Sequence, residues 1–131
     1  MKKLFSKVWK SSKQPRKQRK YQANAPSHIK GKMIHSHLSK ELREKHGHRS
    51  TRVKKGDKVK IMTGGFRGKT GTIERVDTKN FKVFISKVEY TKKDGSKTMY
   101  PIHVSNVMIT ELNMNDKRRK EKLTKKAEQR N

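Results

Sequence analysis

Lys55–Asp77, KGDKVKIMTGGFRGKTGTIERVD, is the stretch with the clearest structural signal in the chain. Gly56-Asp57 opens it as a turn. Val59 and Ile61 then alternate with Lys58 and Lys60, the period of a strand with one buried face and one wet, basic face. Thr63-Gly64-Gly65-Phe66-Arg67-Gly68 interrupts that period with three glycines, which reach positive φ without strain and let a partner come close to the backbone. Thr70, Thr72, Ile73 and Val76 resume a β-type run, in which Gly71 signals a bulge or tight bend. The stretch reads as strand, glycine-rich turn, bent strand. With Arg52 and Lys54 just upstream, it carries eight Lys or Arg against Asp57, Glu74 and Asp77.

The spacing Gly56-Asp57-x-Val59-x-Ile61-x-x-Gly64-x-x-Arg67-Gly68-x-x-Gly71-x-Ile73 resembles the KOW motif of SH3-like barrels in ribosomal proteins and transcription elongation factors. Arg67 stands where that motif often has Lys, and the charge is kept. A plain hairpin turn, with glycines serving geometry alone, is the bland alternative. Gly64 to Thr70 also imitates a phosphate-binding P-loop ending in Gly-Lys-Thr, but Thr63 sits where the first glycine belongs. Gly71-Thr72-Ile73 follows instead of a helix start, so ATP or GTP binding is rejected.

Composition limits what surrounds this stretch. The chain has 131 residues, 28% hydrophobic and 37% charged, which suits one small folded unit with arms that order on a partner. Its 37 Lys and Arg against 11 Asp and Glu leave a net charge of +26, which calls for a polyanion, above all nucleic acid. The first fifty residues hold fifteen of those cations and only two acids. Cysteine is absent, so a disulfide framework and a thiolate zinc site are excluded. No apolar run approaches the ~18 residues of a membrane span, and Met1–Lys10 lacks the apolar centre of a secretory signal, which points to the cytoplasm.

Upstream, Leu4, Phe5, Val8 and Trp9 could form one face of a short helix, too small for firm membrane binding, with Trp9 better suited to stacking or packing. Lys13, Arg16, Lys17, Arg19 and Lys20 form a charge run suited to gripping phosphates, and Tyr21 could stack on a base. Ile29, Met33 and Ile34 recur at helical spacing, weakened by Gly31. Ser39 is a good cap for a second short helix, Lys40 to His46, stopped by Gly47, with Leu38 and Leu42 as a small docking stripe. His28, His35, His37, His46 and His48 crowd this region, but without Cys or a zincin spacing they fit a metal site poorly.

Downstream, Phe81, Val83 and Ile85 alternate on one face, with Phe84 on the other, and Val88 and Tyr90 continue to the hairpin signal Asp94-Gly95. Thr98 to Ile102 return, with Pro101 implying an edge, and Val107 to Ile109 make a last short strand. Five short strands suit a small, strongly bent barrel. Asp116–Gln129 could be a single helix with Glu121–Lys125 pairing, having no core of its own and ordered by neighbours.

Around the KOW stretch stand Lys13-Gln14-Pro15-Arg16-Lys17-Gln18-Arg19-Lys20, Asn24-Ala25-Pro26, Leu38-Ser39-Lys40-Glu41-Leu42-Arg43 and Ser105-Asn106-Val107-Met108-Ile109. Together these resemble the universal large-subunit ribosomal protein twenty-four family in its archaeal and eukaryotic form, over roughly residues 11–112. Lys55-Gly56-Asp57 and the Asp94-Gly95 turn look closer to archaeal members. Val104 departs from the family's usual His-Pro-Ser-Asn-Val, and residues 1–10 lie outside the shared pattern.

The resemblance implies a mostly β fold: a five-stranded SH3-like (KOW) barrel, a basic N-terminal arm carrying two short helices, and a basic C-terminal helix or tail. Residues 1–25 are expected as an extended arm, 26–50 as helices packing on barrel and RNA, 51–112 as the barrel, and 113–131 as the tail. It implies binding to the 5′ domain of large-subunit rRNA early in assembly and a place near the peptide exit tunnel, with the Asp94-Gly95 tip toward it. The expected partners are large-subunit rRNA, neighbouring ribosomal proteins and factors docking at the tunnel exit, with no cofactor, small-molecule substrate or membrane insertion. Candidate RNA contacts are the arm (Lys13, Arg16, Lys17, Arg19, Lys20) and the basic residues leading into the barrel. Those are Lys30, Lys32, Lys40, Arg43, Arg49, Arg52, Lys54 and Lys55. The turn adds Phe66, Arg67 and Lys69, and the segment before the last strand adds His103, Ser105 and Asn106.

The alternative within the KOW class is a transcription elongation or antitermination factor, but residues 1–50 lack the alternating apolar strands of the α/β domain such factors carry. A basic polypeptide acting on anionic membranes is a further rival. Enzymatic activity is not expected: no carboxylate pair, cysteine or Ser–His–Asp arrangement is readable.

Overall fold

The computed structural model describes residues 5–9 and 11–128, with the backbone alone for 126–128. Two helices, α1 (Pro15–Asn24) and α2 (Ser27–Met33), lead into strand β1 (His35–Leu38), helix α3 (Lys40–His46) and strand β2 (Ser50–Arg52). Strands β3 (Lys58–Ile61), β4 (Thr70–Asp77), β5 (Lys82–Thr91) and β6 (Lys97–His103) follow. A 3-10 turn (Val104–Asn106), β7 (Val107–Glu111) and helix α4 (Lys117–Glu128) complete the described chain.

The fold is mostly β, but it is a seven-stranded mixed sheet in the order β2-β1-β7-β3-β4-β5-β6, not five strands. The five expected strands are all present as β3 to β7. Of the two extra ones, β1 comes from the segment expected as helices (26–50) and β2 straddles its boundary with the expected barrel. Ile34 leaves the helix and β1 begins, pairing antiparallel with β2 and parallel with β7 through His37↔Met108 and Leu38↔Ile109. Burial explains the switch. Ser36 and Leu38 point inward at period two, and Leu38 is fully buried, which is worth about 1.5–3 kcal/mol for a side chain of that size. Leu38 therefore belongs to the core and not to a docking stripe.

That core is one cluster. Val59 and Ile61 of β3, Ile73 of β4, Val83 and Ile85 of β5, Ile102 of β6 and Ile109 of β7 all join it. Two local devices bend the sheet around them. Lys87 takes φ 63°, so the buried positions of β5 run Val83, Ile85 and then Val88, and the pairing with β6 slips between Phe84 and Glu89. Gly71 is not itself the bulge, which lies between Ile73 and Arg75. It marks a close approach: a Cβ there would stand 2.6 Å from the Ile85 methyl and 2.8 Å from the Ser86 carbonyl oxygen. Pro101 lies on β6, the sheet edge, where no ladder hydrogen bond is asked of it. A strand, not a helix, follows Lys69, as the rejection of a P-loop requires.

Helix α3 has the limits its sequence signals: the Ser39 hydroxyl accepts from the Leu42 amide and the left-handed Gly47 closes it. The arm, by contrast, is helical from Pro15 to Asn24, with proline at the first turn and no buried residue. Residues 5–9 form no helix. Phe5 and Trp9 instead pack on Tyr21 with ring centroids 5.0 and 5.6 Å away, while Val8 is 89% exposed. Leu4 and Gln129, the outer limits of two expected helices, lie outside the described residues. Among the described residues no helix is long and apolar enough to cross a membrane.

Candidate nucleic-acid interface

The glycine-rich turn is a loop closed by backbone hydrogen bonds. Ile61 donates to the Lys69 carbonyl at 2.9 Å and Gly68 donates back to Ile61 at 2.8 Å, closing its neck. Gly64 and Gly68 adopt φ of 93° and 87°, which only glycine takes without strain. Arg67 and Lys69 project from it, both exposed, with the Lys69 ammonium 5.0 Å from the centre of the Phe66 ring. The Met62 amide donates to the Asn106 carbonyl at 2.8 Å, fastening the 3-10 turn beside the loop. Phe66, His103 and Asn106 thereby line one groove with Gly64, Gly65 and Tyr100. In that turn the Val104 amide donates to the Phe81 carbonyl at 3.1 Å, a bond proline could not make.

At the opposite end of β3 from this loop lies a buried ion pair. Asp57 is fully buried and receives both guanidinium ends of Arg119, at 2.6 and 2.8 Å. It also accepts from the amides of Lys54 and Asn113, at 2.9 Å each. Arg119 donates further to the carbonyls of Asn113 and Arg52. The Lys54 ammonium pairs with Asp116, holding that carboxyl below the usual carboxylate range, and Asp116 caps α4 by accepting from the Arg118 amide at 3.0 Å. Leu123, 2% exposed, completes the docking. The expectation that α4 has no core of its own and is ordered by neighbours is therefore corrected: the motif's aspartate anchors it within the chain.

Residues 12–126 match a family described as the ribosomal proteins L26 of eukaryotes and their archaeal L24 counterparts. The chain is 47% identical over 113 residues to the large ribosomal subunit protein uL24 of Methanospirillum hungatei, covering 86% of this chain and 94% of that protein. It is 48% identical over 112 residues to uL24 of Methanoculleus marisnigri, covering 86% and 93%. The chain belongs to the uL24 family.

On this uL24 scaffold the candidate contacts divide by what already holds them. Lys13, Arg16, Lys17, Arg19 and Lys20 are exposed on α1 and next to it. Lys32, Lys40, Arg49, Arg52 and Lys55 are exposed elsewhere, as are His103 and Ser105. Lys30 bonds the Ala23 carbonyl at 3.1 Å, Arg43 bonds the Leu38 carbonyl at 2.8 Å, and Lys54 is taken by Asp116. Those three cations spend donors on the fold. Sequence reasoning missed Arg119, whose partner stands 62 residues away, and Tyr90 and Tyr100, each 43% exposed. Exposed aromatics flanking the Asp94-Gly95 hairpin were the available clue to the last two.

Three imidazoles titrate below the usual 6.5. Burial lowers His35 first, then the charges of Lys122 and Arg52; burial and then Arg43 and Arg49 lower His37; burial and then Lys45 lower His46. The unfolded chain binds more protons than the folded one below about pH 6.5, so stability rises with pH there. Urea midpoints of the RNA-free chain are expected to fall between pH 7.5 and pH 5, above the range where carboxylates titrate. A midpoint that rose on acidification would contradict this assignment.

Proposed function

We propose that this protein is a structural component of the large ribosomal subunit, working on cytoplasmic ribosomes and having no catalytic task. Membership of the uL24 family carries the reading, and a net charge of +26 supplies its physics. Each Lys or Arg set against a phosphate releases counterions, so binding weakens by about 0.7–0.9 log units per contact for each log unit of salt. Phosphate contacts fix position, while RNA shape and unstacked bases supply specificity. The finer parts of the reading are proposals resting on family resemblance. They are the SH3-like closure of β3 to β7, early binding to the 5′ domain of the large rRNA, and the Asp94-Gly95 tip near the tunnel exit. The division into arm, linking segment, barrel and tail has the same standing, as do the neighbouring ribosomal proteins and exit-site factors as partners. A transcription-factor role is disfavoured by the match to a ribosomal family over residues 12–126.

Gradient sedimentation of native extracts tests the reading. The protein is expected in the large-subunit peak at moderate salt and is expected to leave it only in salt high enough to strip subunit proteins. Sedimentation with membranes or with RNA polymerase instead would overturn it.

A further inference from the structure

We infer that the groove between the glycine loop and β6 takes one unstacked nucleotide of single-stranded RNA, with its base against the Tyr100 ring. The inference rests on the RNA-binding reading above and names the part of the RNA that this face holds. Gly64, Gly65 and Phe66 form one wall and Tyr100, His103 and Asn106 meet them across it. Tyr100 is braced for stacking: Phe66 lies 5.1 Å behind it and Tyr90 meets it edge-on at 6.0 Å. Phe66 is half-buried against the core with Lys69 over its ring, so it acts as a backing while the 43% exposed Tyr100 offers the free surface.

Gly65 is the second observation. Its φ is not positive, and a Cβ built on it meets nothing within 4 Å. Neither backbone conformation nor packing inside this chain asks for glycine there, whereas a ligand lying flat against the loop does. Polar groups complete the groove. The Ser105 amide donates to His103 Nδ1 at 3.3 Å, which leaves Nε2 as the ring nitrogen able to meet a ligand. The Asn106 amide offers a donor and an acceptor to a base edge, and the Lys82 ammonium is at hand for a phosphate. Arg67 and Lys69, exposed on the same loop, favour a polyanion over a protein or a neutral ligand.

The test measures binding of the full chain to a labelled single-stranded oligoadenylate, to an RNA duplex with equal phosphates, and to free AMP, at two salt concentrations. Tyr100→Leu keeps an apolar cover over Phe66 and is expected to weaken single-strand binding about tenfold, within what one base–aromatic stack supplies, with the salt slope and duplex binding unchanged. Tyr100→Phe is expected to restore it. Gly65→Ala is expected to weaken single-strand binding at unchanged melting temperature, and it decides the matter should Tyr100→Leu fail to fold. AMP is expected to compete only weakly, since the loop cations act on a chain of phosphates. Single-strand binding by Gly65→Ala and the folded Tyr100→Leu within twofold of the native chain would overturn the groove while leaving the ribosomal role intact. Failure of the native chain to bind any RNA at low salt would overturn both.

Discussion

Asp57→Ala is expected to lower the unfolding free energy of the free protein by about 3–5 kcal/mol, the usual cost of removing one partner from a buried pair. The substitution leaves the Arg119 guanidinium, 6% exposed, without its counter-ion and frees two backbone donors, those of Lys54 and Asn113. Against a domain stability of roughly 5–15 kcal/mol this is a large share. The helix α4 should detach first, because Arg119 and Leu123 are its buried contacts among the described residues. Urea unfolding followed by circular dichroism, with limited tryptic cleavage at Lys117–Lys125, measures both effects. Asp57→Ala with Arg119→Leu should recover part of the loss, since no uncompensated charge then stays buried. Equal stability of Asp57→Ala and the native chain would mean that the pair does not hold the helix.

Replacing both Arg67 and Lys69 by Ala is expected to leave the fold untouched and to weaken RNA binding about 25- to 60-fold at 0.1 M salt. Two phosphate contacts at 0.7–0.9 log units each give that figure, taking 1 M as the reference. The slope of log affinity against log salt should shrink by the same ~1.4–1.8. Both side chains are exposed, and the neck bonds of the loop are made by backbone groups that alanine retains. Native melting with native affinity for an rRNA fragment would remove this loop from the interface. A loss of affinity without a change in slope would point to a contact other than phosphate.

Legibility followed distance along the chain. The strands β3, β5 and β7 could be read because each alternates locally: Val59 with Ile61, Val83 with Ile85, Val107 with Ile109 are all buried. The strands β4 and β6 could be read from their β-type residues beside the glycine-rich turn and the Asp94-Gly95 hairpin signal. So could α3, whose Ser39 and Gly47 signals are its own neighbours. The strand β1 could not. Ile29, Met33 and Ile34 match helical spacing, α2 does form, and the four residues after it include two His and a Ser. Pairing with β2 on one side and with β7, supplied from the far end of the chain, on the other makes His35–Leu38 extended. The helix α1 was hidden for a different reason: with no apolar face, a charge run gives no period to read. Asp57 was legible as a turn residue, but its ion pair required knowing where Arg119 lies. At the candidate interface the cations and glycines stood in the sequence, whereas the meeting of Tyr100 with Phe66 joins a loop and an edge strand far apart in the chain.

The parallel pairing of β1 with β7 also sets a clock on biosynthesis. A strand synthesised early finds its central neighbour only when nearly the whole chain has emerged, as the Ser36 hydroxyl bonded to the Val104 carbonyl 68 residues later also shows. At ~5–20 residues per second β1, paired at first with β2 alone, waits several seconds before its other edge is covered and the sheet is complete.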